Sequence, residues 1–204
     1  GVASTKAFTA QLTCLASLAV ALGGNNKHQL QSLADSARII ANLLRENQHE
    51  AVASVLAKAK TILYIGRGTS YPIALEGALK LKELSYIHAE GFGAGELKHG
   101  PIALIDKKVP IVVVAPMDEY FAKTASNVRE VAARGGKVIL ISSKKGCKEL
   151  ADVVHKSITM PDVPDFITPL VYSVPVQLLA YQTAVLLKCD VDQPRNLAKS
   201  VTVE

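Results

Sequence analysis

Three groups of residues have the types and spacing for chemistry. Glu76, Lys80 and Glu83 stand at i, i+4 and i+7, which puts them on one face of a helix, with Leu75, Ala78, Leu79 and Leu81 available for apolar contacts. A carboxylate held beside an ammonium group suits a general base, a role that contributes roughly 10²–10⁴-fold in rate. Glu96, Lys98 and His99 follow on the glycine-rich run from Gly91 to Gly100, where an imidazole titrating near neutrality can move protons between oxygen atoms. Lys199 follows a Pro-Arg-Asn turn near the end of the chain. Its amine becomes useful only where the tail folds over a pocket and desolvates it.

Each group also has a plainer reading. The triplet alone reads as surface ion pairs, each worth about 0.3–0.5 kcal/mol. A lone histidine is more often structural than catalytic, and a terminal lysine is normally solvated. His28, His49 and His155 fall at expected surface or strand positions and are taken as structural, while His88 stays open. Placement favours a site: the triplet directly follows Ile62-Leu63-Tyr64-Ile65 and Gly66-Arg67-Gly68-Thr69-Ser70, which read as strand, glycine-rich turn and helix. A helix opening just after such a turn carries unpaired N–H groups suited to an anion, with the Thr69 and Ser70 hydroxyls nearby.

The elements around this stretch follow from periodicity. Apolar residues recur at helical intervals from Thr5 to Leu22, with Ser4 as the expected N-cap and Gly23-Gly24-Asn25-Asn26 as the stop. Further helices are expected from about Lys27 to Glu46 and from His49 to Lys60, and the three together read as a connecting segment. Pro110 to Ala115 and Lys137 to Ser142 are β-branched runs, Asp118 to Arg134 is helical between them, and Ala151 to Met160 holds a last strand. This alternation argues a parallel sheet with helices on both faces, whose ligands sit beyond the carboxyl ends of the strands, where the Gly66 loop falls. Phe166 to Lys188 is a long apolar helix in which Pro169 and Pro175 predict a kink or break.

Composition narrows the class. The 204 residues are 49% hydrophobic and 20% charged, enough for a sizeable core and against disorder. The formal charge of +5 is scattered, which favours a solvated surface over nucleic-acid binding. Cys14, Cys147 and Cys189 are far apart, with no Cys-x-x-Cys pair and no histidine at metal spacing. A cytoplasmic setting with no metal and no cofactor is expected. No apolar run reaches the roughly twenty residues of a membrane span, and no signal peptide opens the chain. It begins Gly1-Val2-Ala3-Ser4 without a methionine, so a piece of a longer protein is expected.

Three segments carry a resemblance. GVASTKAFTAQ, ALEGALKLKELSYIHAEGFGAGELKHGPIALID and DQPRNLAKSVTVE closely resemble the C-terminal part of the glutamine:fructose-6-phosphate amidotransferases, the last segment being the most specific. The resemblance implies an α/β sugar isomerase (SIS) fold, a flavodoxin-like three-layer αβα arrangement with a parallel sheet. Residues 1–48 would end a first SIS lobe and form the linker, 49–190 would form the second SIS domain, and 191–204 an active-site tail. The same resemblance makes Glu83 the base that moves a proton between C1 and C2 of the sugar, and Lys80 a substrate contact. It makes His99 the ring-opening residue, supplied across a homodimer interface, and Lys199 the amine that engages the open-chain carbonyl. Val2, Ala3 and Ser4 would border the sugar.

The implied reaction takes fructose 6-phosphate and glutamine-derived ammonia to glucosamine 6-phosphate. The glutaminase domain and the first lobe's phosphate loop lie in the rest of the parent chain, and neither nucleic acid nor membrane is an expected partner. A different class of function, a non-catalytic phosphosugar-sensing SIS module, would use the Gly66–Ser70 loop and would not need Glu83, His99 and Lys199 together.

Overall fold

The computed structural model describes residues 2–24 and 26–197; the expectation placed on Lys199 lies outside the described residues. Five parallel strands form one sheet in the order β2-β1-β3-β4-β5: β1 Thr61–Gly66, β2 His88–Gly93, β3 Pro110–Val114, β4 Lys137–Ser143 and β5 Lys156–Met160. This is the flavodoxin-like order, with the switch point between β1 and β3.

Alternation along the strands builds two cores, since successive side chains point to opposite faces. Ile62, Tyr64, Val112, Val114, Ile139 and Ile141 pack with α3 (Glu50–Leu56), α4 (Ser70–Ser85) and α7 (Thr168–Leu186). Leu63, Ile65, Ile111, Val113, Val138 and Leu140 pack with α5 (Phe121–Ala133) and the 3₁₀ turn at Ala94–His99. A short helix, α6, spans Lys144–Glu149.

Before the sheet come α1 (Lys6–Leu22) and α2 (Lys27–Leu43). Thr5, not Ser4, occupies the N-cap of α1 and makes no side-chain capping bond. The Asn26 side chain caps α2 by accepting from the His28 and Gln29 N–H groups. The link to the sheet is closed by Gln48, whose amide bonds both backbone groups of Thr159 on the free edge of β5, accepting at 2.9 Å and donating at 3.4 Å. His49 is buried, not at the surface, and burial pushes its imidazole below the usual range.

Two further readings need correction. The sequence reading contains no strand at His88–Gly93: HAEGFG has no β-branched run, yet it pairs with β1 along its whole length. Gly91 fits because a side chain there would meet Leu75 of α4 at 2.8 Å. In α7 the prolines cause no break. Pro169 lies in the first turn, where its missing N–H costs nothing, and the helix runs through Pro175 to Leu186.

Candidate active site

The β1–α4 turn is tightly built. A Cβ at Gly66 would lie 2.3 Å from the Ser70 carbonyl oxygen, so only glycine lets α4 fold back this closely. The Ser70 and Tyr71 N–H groups donate to the Arg67 and Gly68 carbonyls at 3.0 and 3.2 Å, and the next residue, Pro72, has no N–H. Arg67 turns onto Asn127 of α5, donating to its Oδ1 at 2.9 Å. Of the donors expected to face a phosphate, the Ser70 and Tyr71 N–H groups are therefore spent within the turn and Pro72 has none, while the buried Ser70 hydroxyl has no partner among the described residues.

The triplet on α4 is a stronger feature. Gly77 lets the helix close on β1 and α7 together, since a Cβ there would sit 2.7 Å from Tyr64 Cε1 and 2.9 Å from Val176 Cβ. The approach carries the neighbouring Glu76 into the interior, to 7% exposure, where Gln177 of α7 donates to Oε1 at 3.2 Å. Burial raises the Glu76 carboxyl above its usual range; Lys80 and the Gln177 bond pull it back, and Glu83 adds to the rise. The Lys80 side chain is 4% exposed and its Nζ donates to Glu83 Oε2, while Glu83 keeps 21% of its side chain in solvent. The surface-pair reading fails for Glu76 and Lys80. Two carboxyls and one ammonium group share a mostly dry helix face, and the outermost carboxylate reaches solvent.

Beside this face opens a cleft of about 590 Å³, lined among others by Val2, Ala3, Ser4, Leu84, Gln177 and Tyr181. The N-terminal segment singled out in sequence thus lies against the lower half of α4, at the residue after Glu83. Gln177 had not been picked out in sequence. Its signal is a lone glutamine in the otherwise apolar stretch VYSVPVQLLAY, a polar group that requires a buried partner.

His99 lies elsewhere in the same chain. It ends the 3₁₀ turn after β2 and is 73% exposed, with Nδ1 2.7 Å from Glu96 Oε2. The β1–β2 register pairs Gly66 with Gly93, which puts that turn at the carboxyl edge of the sheet. Helix α4 descends from that edge, and the thirteen residues from Ser70 to Glu83 span about 20 Å. One chain therefore does not bring His99 to Glu83. Among the described residues no group of three or more His, Cys, Asp or Glu side chains could hold a metal ion, and no helix is long and apolar enough to cross a membrane.

With this geometry in hand, comparisons place the chain. The SIS domain model matches residues 55–187. Over its whole length the chain is 57% identical to glutamine–fructose-6-phosphate aminotransferase (isomerizing) of Bartonella henselae and 57% identical to that of Agrobacterium fabrum. In both cases it spans 35% of the relative. The C-terminal domain of glucosamine-fructose-6-phosphate aminotransferase from Francisella tularensis superposes with a TM-score of 0.88 at 42% identity, covering 95% of this chain and 57% of that one. Glucosamine-6-phosphate deaminase from Thermotoga maritima, at 22% identity and a TM-score of 0.75 over 99% of this chain and 58% of that one, shares the fold.

Proposed function

This chain belongs to the SIS domain family, and from that premise we propose that it is the isomerase part of an amidotransferase that makes glucosamine 6-phosphate from fructose 6-phosphate and glutamine-derived ammonia. The single observation that carries the reading is the α4 face. A partly exposed carboxylate, Glu83, is held by the buried ammonium group of Lys80, and the next residue, Leu84, lines the cleft together with the N-terminal segment. The names of relatives 57% identical along the entire chain support the substrate class.

In this reading the open-chain sugar lies in the cleft, bordered by Val2, Ala3 and Ser4, with Lys80 close to its oxygens. Glu83 takes a proton from C1 of the C2 imine and returns it to C2 through an enolamine, while the O1 hydroxyl proton is passed to the imine nitrogen, leaving an aldehyde at C1 and an amine at C2. Lys80 holds Glu83 oriented, so the base is in place before substrate arrives. Lys199 engages the ketose carbonyl, and His99 opens the ring.

Because His99 and Glu83 lie at opposite ends of α4 within one chain, the histidine is assigned to a second copy of a homodimer. Residues 1–48 complete a preceding SIS lobe, 49–190 form the second, and 191–204 form the tail. The glutaminase domain belongs to the remainder of the parent chain, in a cytoplasmic enzyme.

The test is Glu83→Gln in the full-length protein. It is expected to abolish glucosamine 6-phosphate formation while glutamine hydrolysis persists. Synthesis retained within about tenfold of the unsubstituted enzyme refutes the role of the base, whose contribution is on the order of 10²-fold or more.

A further inference from the structure

The turn after β2, Ala94–His99, is a 3₁₀ helix. With three residues per turn, side chains at i and i+3 stand one above the other, and the sequence uses this twice. Ala94 and Leu97 point inward and are fully buried in the core they share with Leu63 and Val113, which anchors the turn against the sheet. Glu96 and His99 therefore share the outer face, with side chains 68% and 73% exposed. Arg67, held by Asn127, lies over Gly95, where an added Cβ would come within 3.1 Å of Nη1. The backbone beside Glu96 is thus packed on two sides.

The outer pair has a direction. His99 Nδ1 lies 2.7 Å from Glu96 Oε2. A carboxylate only accepts, so the proton between them sits on Nδ1, and the neutral ring keeps Nε2 as an acceptor. Lys98 turns away to Glu130 of α5 at 3.7 Å, and among the described residues His99 is the only ion-pair partner of Glu96. An exposed pair of this kind adds little to stability. What it does fix is which ring nitrogen is free.

We propose that Glu96 is a positioning residue for ring opening: by accepting from Nδ1 it holds His99 in the tautomer whose Nε2 can take a proton. The proposal rests on the isomerase reading above, in which His99 serves the cleft of a second copy. Opening of the furanose form balances on Nε2 alone. Nε2 takes the proton of the O2 hydroxyl, C2=O forms as the C2–O5 bond breaks, and the same proton passes to O5. The transient imidazolium rests beside the Glu96 carboxylate, which takes up no proton itself. Among the described residues no other group meets Nδ1, so removing Glu96 frees the tautomer, and a ring with its proton on Nε2 cannot begin the step.

The experiment uses the full-length enzyme with fructose 6-phosphate and with its 5-deoxy analogue, which lacks the ring-forming hydroxyl and cannot close a furanose. Glu96→Gln keeps the size of the side chain, but its amide can donate to Nδ1 and favours the wrong tautomer; Glu96→Asp keeps the carboxylate. On fructose 6-phosphate, Glu96→Gln is expected to lower kcat/KM about tenfold, part of the roughly 10²-fold or more that a proton carrier contributes. On the 5-deoxy analogue it should match the unsubstituted enzyme, and Glu96→Asp should recover most of the loss. Added to His99→Ala, Glu96→Gln should cost nothing further, because the two residues act as one unit. Melting temperature and glutamine hydrolysis should not move, since the side chain is exposed.

Equal losses on both substrates, or no loss on fructose 6-phosphate, overturn the positioning role. If His99→Ala spares fructose 6-phosphate as well, the ring-opening assignment fails and Glu96 falls with it. Glu83→Gln made alongside tests the wider reading by itself, since both substrates need the base: activity retained on both sinks the isomerase assignment, whatever Glu96 does.

Discussion

Replacing Lys80 by methionine removes one charge and keeps most of the apolar stem. In the folded protein Lys80 is 4% exposed and holds Glu83, which is 21% exposed, while Glu76 lies one turn earlier at 7%. Taking away one partner of a buried pair costs about 3–5 kcal/mol, because the other charge is left desolvated and alone. Glu83 retains some water, so the lower end applies, about 3 kcal/mol at pH 8.

The pH dependence fixes the cause. Lys80 is the group that holds the raised Glu76 carboxyl down, so its loss moves that carboxyl further above its unfolded value. A carboxyl raised in the folded state contributes stability below its unfolded pKa and loses it as pH rises through the folded one. The deficit of Lys80→Met should therefore be largest at pH 8 and shrink to about 1 kcal/mol or less near pH 4. Urea unfolding of wild type and variant at both pH values measures it. An equal deficit at both, or none at pH 8, would show that Lys80 is not the counter-charge of this face.

Two further substitutions probe the same packing. Glu76→Gln keeps an acceptor for Gln177 and removes the buried charge; it should stabilise the protein by about 1 kcal/mol at pH 8 and change nothing below the ordinary carboxylate range, read from the same urea curves. Gly77→Ala sets helix propensity, worth about 1 kcal/mol in favour of alanine, against a methyl group 2.7 Å from Tyr64 and 2.9 Å from Val176, both fully buried. Overpacking should win by about 2 kcal/mol, a fall in Tm of about 4–8 °C by calorimetry, and a rise in Tm would mean that α4 and α7 are less tightly joined than described.

Much of the fold was legible because strand and helix periods differ. PIVVVA and KVILIS could only be buried strands, and the order of elements left few topologies. The second strand escaped because HAEGFG lacks the apolar run of its neighbours: it is an edge strand, one face of which must leave room for Leu75 at Gly91. Pro175 suggested a break in α7 that tertiary packing overrides, since Val171, Val176 and Leu179 around it are buried in the core. Ion pairing on α4 was legible from spacing. The burial of Glu76 and Lys80 was not, because it depends on α7, a hundred residues away, and on the absence of a side chain at Gly77.

The cleft lies away from the edge that the general rule for parallel sheets points to. That rule puts ligands at the carboxyl edge because loop N–H groups and helix N-termini are unpaired there. At the Gly66 turn the Ser70 and Tyr71 N–H groups are spent on the turn itself, and Pro72 supplies none. The charged residues of α4 begin at its seventh residue and end near its foot, so the polar chemistry of this lobe runs down the helix to the opposite edge. There it meets three chain segments that the sheet does not organise: residues 2–7, the end of α7 and the strap at 191–192. A site assembled from such segments depends on what pins them.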